Sequence, residues 1–258
     1  MRRSQLSRRA LIGAGAAAGG LALAGCDRLT ASPSFQKFIS GGQDLTFHAQ
    51  RLLLAGQPLA REFPRSMLSR VFKSNGTSMP GGDDYKALLD GGFAAGRLMV
   101  EGLVARPSQF SLADLRAMPA RTQITRHDCV EGWSCIGEWT GTPLGHLLRI
   151  VGLSPRARYI VLRCADDLDN SLDGSGLYYE SIDLFDAFHP QTILAYAMNG
   201  HALDPAHGAP LRLRVERQLG YKQAKYVMRI QAVDRMDKIQ GGKGGYWEDR
   251  GYEWYAGI

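Results

Sequence analysis

The stretch Arg126-His127-Asp128-Cys129-Val130-Glu131-Gly132-Trp133 decides how the rest of this chain is read. One cysteine stands among charged and hydrogen-bonding side chains, with Arg126 and His127 before it and Glu131 after it. A neighbouring cation favours a thiolate over a thiol, and the thiolate is the form that ligates soft metals or attacks electrophiles. The residues alone leave two readings open: a reactive or metal-ligating Cys129, or a buried structural cysteine of the common kind.

Cysteine usage narrows the choice. The 258 residues hold four cysteines, Cys26, Cys129, Cys135 and Cys164. Cys26 lies in an N-terminal segment with the marks of export. Met1 to Arg9 carries four arginines and no acid, and a small apolar run follows to Gly25. That run is too short and too weakly hydrophobic to read as a membrane span. Paired arginines in Ser7-Arg8-Arg9-Ala10-Leu11-Ile12 match a twin-arginine signal, the route that carries folded proteins. Leu23-Ala24-Gly25-Cys26 looks like a lipoprotein cleavage box, which predicts lipidation at Cys26, and Asp27 suits retention at the inner membrane. Two acyl chains suffice for stable anchoring. Three cysteines then remain, an odd number, so at least one has no intramolecular disulfide. A free thiol in an oxidising compartment needs burial or a metal to explain it.

Loss of residues 1–25 lowers the basic count from 31 to 27 against 25 acidic residues. The high isoelectric point therefore owes much to the signal and does not argue for nucleic acid. No Cys-x-x-Cys-His motif exists, so this chain attaches no covalent haem. Nor is there a Cys-x-x-Cys pair, which weakens iron–sulfur and zinc-ribbon readings.

The expected layout is an export signal over 1–25, a loosely structured, lipid-anchored linker over 26–50, and one folded domain over 51–258. Short strands and turn-rich loops dominate that domain. Arg97–Val104, Gln123–Arg126, Tyr159–Cys164, Pro210–Val215 and Val227–Val233 read as strands. The second of these delivers Cys129 at its end. Ser111 with Asp114 forms a capping-box-like helix start, stopped at Pro119. Thr142 is expected to cap a helix with Pro143 at its first position. The pattern suits an α+β fold of mixed strands and lacks a regular βαβ rhythm.

Further motifs fit around Cys129. Asn199-Gly200 and Asp204-Pro205 lead to His207-Gly208-Ala209-Pro210-Leu211-Arg212, then Gly220-Tyr221-Lys222-Gln223-Ala224-Lys225. A phosphate is recognised by arginine, lysine and backbone amides, and a Gly-x-Lys-x-x-Lys loop could supply them, although singly such a loop reads as a solvated basic hairpin. Asp166, Asp167, Asp169 and Asp173 form an acidic cluster without EF-hand spacing, read as a solvated loop.

In order and spacing these motifs, from residue 70 to Tyr252, resemble the sulfite oxidase family of molybdopterin oxidoreductases, and its exported, periplasmic sulfoxide reductase-like branch in particular. The resemblance implies a single-domain, strand-rich α+β fold of the sulfite oxidase type. It implies Cys129 as the only protein ligand to molybdenum, Arg212 as a pterin-binding arginine, and Gln223, Ala224 and Lys225 as the loop holding the phosphate end. His207 stands where that branch commonly has an Asn. Lys73, Ser74 and Asn75 fall in a pterin-binding segment and depart from its usual Arg-Asn-His or Tyr-Glu. Cys164 stands where a Thr is frequent. Tyr178 and Tyr179 lie near the family's active-site aromatics. Gly245 to Tyr252 looks like the closing motif, read as packing with Trp247 buried.

The expected activity is oxygen-atom transfer by a molybdenum–molybdopterin oxidoreductase on a sulfoxide-type or sulfite-type substrate. Arg126, His127 and Glu131 are candidates to tune the thiolate or meet the substrate. Electrons would pass through a separate partner, with a membrane b-type cytochrome expected. Two other readings compete: a metal-free lipoprotein binding module on the same scaffold, and a cysteine-nucleophile hydrolase, for which no local signature is present.

Overall fold

The computed structural model describes residues 32–169, 171 and 176–258. The export signal, Cys26 and Asp173 lie outside them. The chain divides into two compact units, one ending at Gly56 and the other covering Gln57–Ile258. In the first, a helix α1 (Pro33–Leu53) occupies what was expected to be a loosely structured linker. Its start is specified locally: Ser32 Oγ accepts a hydrogen bond from Phe35 N at 3.2 Å, and Pro33 opens the first turn. No described helix is long and apolar enough to cross a membrane.

The second unit is a strand-rich α+β assembly of two sheets. One has the order β2-β1-β10-β5-β6, from β1 (Leu98–Gly102), β2 (Ser108–Phe110), β5 (Tyr159–Asp167), β6 (Leu177–Asp183) and β10 (Val227–Val233). Only the β1–β10 pairing in it is parallel. The other runs β3 (Arg121–Cys129), β4 (Trp133–Pro143), β7 (Ile193–Met198), β8 (His201–Ala202), with β9 (Arg212–Arg214) also on β7. Short helices α2 (Asp83–Asp90), α3 (Leu112–Ala117), α4 (Leu144–Val151) and α5 (Leu184–Ala187) complete the unit. The expected capping box forms at α3, where Ser111 Oγ and the Asp114 carboxylate satisfy each other's backbone N–H groups.

The expected cap at Thr142 is corrected. Thr142 belongs to β4, its hydroxyl donates to Leu115 O at 2.8 Å, and α4 starts after Pro143 without a side-chain cap. Burial drives this end instead: Leu144, Leu147, Leu148 and Val151 form a fully buried stripe in the main core with Ile160, Leu162, Ile230 and Leu213. A second cluster gathers Phe72, Tyr85, Cys135, Trp139 and Tyr226 beside β4 and β7.

The β3–β4 hairpin positions Cys129. Its ladder runs from Arg121↔Gly141 to Cys129↔Trp133, leaving Val130-Glu131-Gly132 as a three-residue loop. Gly132 has φ 84°, the left-handed conformation such a loop demands at its last position. The period of two then sends Gln123, Thr125, His127 and Cys129 to the buried face and Arg126 to the other.

Candidate active site

β9 brings charge to the same region. Arg212 and Arg214 are both fully buried, and Leu213 between them points into the main core. Their guanidinium carbons lie 5.2 and 4.4 Å from the ring centre of Trp139, itself completely buried. Arg214 binds Glu216 through two hydrogen bonds, of 2.9 and 2.6 Å, and its Nη1 donates to His127 Nδ1 at 3.0 Å. Arg212 donates to His207 O at 3.2 Å and to Asn75 Oδ1 at 2.9 Å, and its Nε has no partner.

Cys129 opens onto a cavity of about 340 Å³. Asn75, Gly76 and Thr77 line one side, with Glu131, Asp166, Gly220, Gln223 and Lys225 around it. The remaining wall is apolar, built from Leu168, Val130, Tyr178, Tyr221, Trp247 and Tyr252. Lys225 Nζ donates to Asn75 O at 2.8 Å, Ala206 O at 3.0 Å, Ser74 Oγ at 3.3 Å and Thr77 O. Asp166 Oδ2 accepts from Thr77 Oγ1 at 2.5 Å. Glu131 stands at the rim, accepting from Trp133 Nε1 at 2.9 Å and Gly76 N at 3.3 Å.

The electrostatics are those of an anion site. Burial and the adjacent Arg214 push the Arg212 guanidinium down to about 9, and burial with Arg212 pushes the Lys225 ammonium down to about 7. Among the described residues neither has a carboxylate within hydrogen-bonding reach. Two like charges held dry in this way are stabilised by an anion between them. Burial also raises the Cys129 thiol, against the pull of Arg212 and of the Glu131 and Val130 amides. A coordinated cation would reverse that, since a metal-bound thiol is deprotonated outright. The donor set thus fits a group carrying both a soft metal and a phosphate: one thiol, two buried cations, and the unpartnered polar atoms Arg212 Nε, His127 Nε2 and Gln223 Oε1.

Several expected residues are placed elsewhere. Arg126 is 55% exposed at its side chain and pairs with Asp128 at 2.9 Å on the outer face of β3, so it does not reach the cavity. The thiolate-stabilising cations read from the sequence are therefore replaced by Arg212, because His127 is neutral: burial, Arg212 and Arg214 hold its pKa well below the ordinary histidine value. Lys73 is exposed and off the cavity. Cys164 sits in the main core and borders a different groove; burial drives its thiol well up. Both ring nitrogens of His207 are engaged, Nδ1 with Asp204 Oδ1 at 2.7 Å and Nε2 with Phe72 O at 3.1 Å. The Ala224 side chain lies in the core while its carbonyl accepts from Leu213 N at 2.8 Å. Lys222, the first lysine of the suspected phosphate loop, is buried between Glu180 and Glu248 instead. Tyr179 faces away and donates to Asp249 at 2.5 Å. Trp247 was expected to be buried packing but is partly exposed and lines the cavity.

Asp166, read from the sequence as part of a solvated acidic loop, is instead buried and lines the cavity, as does Tyr252 of the closing motif, which was read as packing. In the acidic loop Asp166 binds Thr77, Asp167 accepts from Asp169 N at 3.1 Å, and Asp169 accepts from Tyr246 Oη at 2.6 Å. Among the described residues no group of three His, Cys, Asp or Glu side chains is arranged to hold a metal ion.

Comparison with known proteins agrees with this chemistry. Residues 93–240 match the model of the oxidoreductase molybdopterin binding domain. The chain is 37% identical over 252 residues, 97% of its own length and 88% of the relative's, to the "Putative protein-methionine-sulfoxide reductase subunit YedZ1" of Azospira oryzae. It is also 37% identical over 145 residues to the protein-methionine-sulfoxide reductase catalytic subunit MsrP of Ralstonia nicotianae, a match spanning 54% of this chain and 44% of that protein. The sulfane dehydrogenase SoxCD of Paracoccus pantotrophus aligns over 55% of this chain and 39% of its own, at 25% identity and a TM-score of 0.48. The domain match and the near-full-length relative are decisive: the chain belongs to the sulfite oxidase family of molybdopterin-binding oxidoreductases, enzymes that use a molybdenum–molybdopterin cofactor.

Proposed function

We propose that this protein is an exported reductase of neutral sulfoxides, with methionine sulfoxide as its substrate class. The carrying observation is the character of the Cys129 cavity. Among the described residues no arginine lines it, and two carboxylates, Glu131 and Asp166, face it. With Arg212 and Lys225 given to the anionic end of the cofactor, the cavity offers a second anion such as sulfite only these carboxylates, which disfavours the sulfite-type alternative. Opposite stand four aromatic rings, Tyr178, Tyr221, Trp247 and Tyr252, suited to the methyl and methylene groups flanking a sulfur. The two methionine-sulfoxide reductase relatives are named for that chemistry.

The reaction converts a sulfoxide, two protons and two electrons into a thioether and water. The molybdenum–molybdopterin cofactor, when bound, supplies the oxygen-atom acceptor and the redox centre. Cys129 would hold the metal. Arg212, Lys225, Asn75 and Gln223 would hold the pterin and its phosphate, and the aromatic wall would orient the substrate. Glu131, fixed at the rim by Trp133 and Gly76, would accept from an N–H of the substrate. Electrons would come from a separate membrane carrier, for which a b-type cytochrome is proposed. Twin-arginine export and lipidation at Cys26 would place the enzyme in the periplasm beside that carrier.

The test is molybdenum per chain, together with dye-coupled reduction of methionine sulfoxide, on protein from a host that makes molybdopterin. Near-stoichiometric metal, sulfoxide turnover well above sulfite oxidation, and a displaced molybdenum paramagnetic signal in Cys129→Ser are expected. Metal-free wild-type protein would instead favour the binding-module reading.

A further inference from the structure

Three fully buried charged side chains stand directly behind the aromatic wall. Lys222 Nζ donates to Glu248 Oε1 at 2.6 Å and to Glu180 Oε1, and the three side chains are 0%, 1% and 0% exposed. Each belongs to a different segment, and each segment presents at least one wall ring. Glu180 lies two residues after Tyr178 on β6, so the two side chains share a face of the strand. Lys222 follows Tyr221, and Glu248 follows Trp247. The rings are then tied to one another. Tyr178 Oη donates to Tyr221 O, and Tyr221 Oη donates to Glu253 O at 2.6 Å. The Tyr221 and Tyr252 ring centres are 5.3 Å apart, and those of Trp247 and Tyr252 are 5.4 Å apart.

Such a triad is a poor source of stability. Desolvation of buried charges cancels much of their attraction, and well-packed apolar replacements are often as stable. What it does supply is geometry, because an ammonium between two carboxylates fixes three backbones at once. The fit is also tight. A Cβ on Gly245 would lie 1.9 Å from Glu248 Oε2 and 2.9 Å from Glu180 Oε1. Glu180 Oε2 and Glu248 Oε2 have no partner, and apart from Ser181 N, which donates to Glu180 Oε1 at 2.7 Å, Lys222 is the hydrogen-bond donor the two carboxylates share. None of the three residues lines the cavity.

We propose that Glu180, Lys222 and Glu248 are positioning residues that set the aromatic wall beside Cys129 and thereby substrate affinity. The kinetic part rests on the sulfoxide reading above; the structural part does not.

The experiment uses Lys222→Met and the gentler Glu248→Gln, which keeps volume and hydrogen bonding, in full-length protein loaded with cofactor. Molybdenum per chain should match wild type, since the triad touches none of Cys129, Arg212 and Lys225. Hydrogen exchange should quicken roughly tenfold over 245–252 and 219–222 and stay unchanged in the β3–β4 hairpin. The KM for N-acetyl methionine sulfoxide should rise roughly tenfold, with kcat changing by less than about twofold. Unchanged exchange over 245–252 in folded Glu248→Gln would overturn the proposal. So would exchange that quickens equally throughout, which marks mere loss of stability, or a fall in kcat at constant KM. If wild-type protein turns over no sulfoxide, the functional reading fails, and the exchange pattern alone decides the positioning role.

Discussion

Arg214 Nη1 donates to His127 Nδ1 at 3.0 Å, while its other two donors hold Glu216. A guanidinium only donates, so Nδ1 is the acceptor and the ring proton sits on Nε2 of a neutral imidazole. The residue that the sequence offered as a cation beside Cys129 is thus an oriented N–H donor. Its Nε2 is buried and faces Gly220, with the Gln223 side chain beside the ring.

This arrangement makes Gly220 irreplaceable. A Cβ there would stand 2.6 Å from His127 Nε2 and 2.7 Å from Cε1. The ring cannot retreat, because Arg214 grips its other side. Gly220→Ala should therefore cost about 1–3 kcal/mol, the usual range for overpacking, and lower molybdenum retention. Thermal denaturation and metal analysis would show it. Adding His127→Ala should recover part of the loss; a double variant no better than Gly220→Ala would put the clash elsewhere.

Much of this site was legible in the sequence, and the failures share a cause. Cys129 at a strand end and the capping box at Ser111 follow from local pattern, whereas Arg212 and Lys225 were joined to Cys129 only by the family resemblance. Direction of side chains did not. Applying the period of two from Cys129 backward would have turned His127 inward and Arg126 outward, yet their shared charge invited a shared role. Pro210–Val215 reads as an alternating strand, and both of its faces are buried, the arginine face against Trp139. Lys222 and Lys225 look equivalent in Gly-Tyr-Lys-x-x-Lys. Only the return of the distant Glu180 and Glu248 assigns one to an ion triad and leaves the other for the cavity. Asp166, hidden in an acidic run, likewise needed its Thr77 partner to stand out.

The face assignment makes Arg126 dispensable. Its side chain is largely solvated and its Asp128 partner is on the same outer face. Exposed ion pairs of this kind are worth about 0–1 kcal/mol. Arg126→Ala should keep full molybdenum occupancy and a near-wild-type kcat/KM for methionine sulfoxide. A tenfold loss of kcat/KM at full occupancy would return Arg126 to the reaction.

The aromatic wall makes the opposite forecast for Trp247. The ring lines the cavity and packs at 5.4 Å on Tyr252, while its backbone is fixed by the neighbouring Glu248. Trp247→Ala removes apolar surface from the substrate side and leaves the cofactor grips intact. KM for N-acetyl methionine sulfoxide should rise by roughly tenfold or more, in line with about 1–3 kcal/mol of lost contact. Metal content should not change. A KM equal to wild type would show that the substrate approaches from another side.

Lys225 ties stability to pH in cofactor-free protein. Its folded value is pushed down to about 7 from the ordinary 10.5, first by burial and then by Arg212. The folded state then sheds this proton above pH 7, whereas the unfolded chain keeps it until near 10.5. Between those values the unfolded state binds more protons, so this lysine makes stability rise with pH, by at most about 1.4 kcal/mol per unit. Below pH 7 its contribution is flat and unfavourable. Arg212 begins to add the same trend near pH 8, about a unit below its own value of about 9, so roughly pH 7 to 8 isolates Lys225. Denaturant titrations of wild type and Lys225→Met, both made in a host lacking molybdopterin, should diverge across that window, with wild type gaining on the variant as pH rises. Loading the cofactor should abolish the gain, because a phosphate beside Lys225 keeps it charged. Parallel curves for the two cofactor-free proteins would mean that the ammonium is not desolvated, and that the buried-cation argument for a phosphate grip at this position fails.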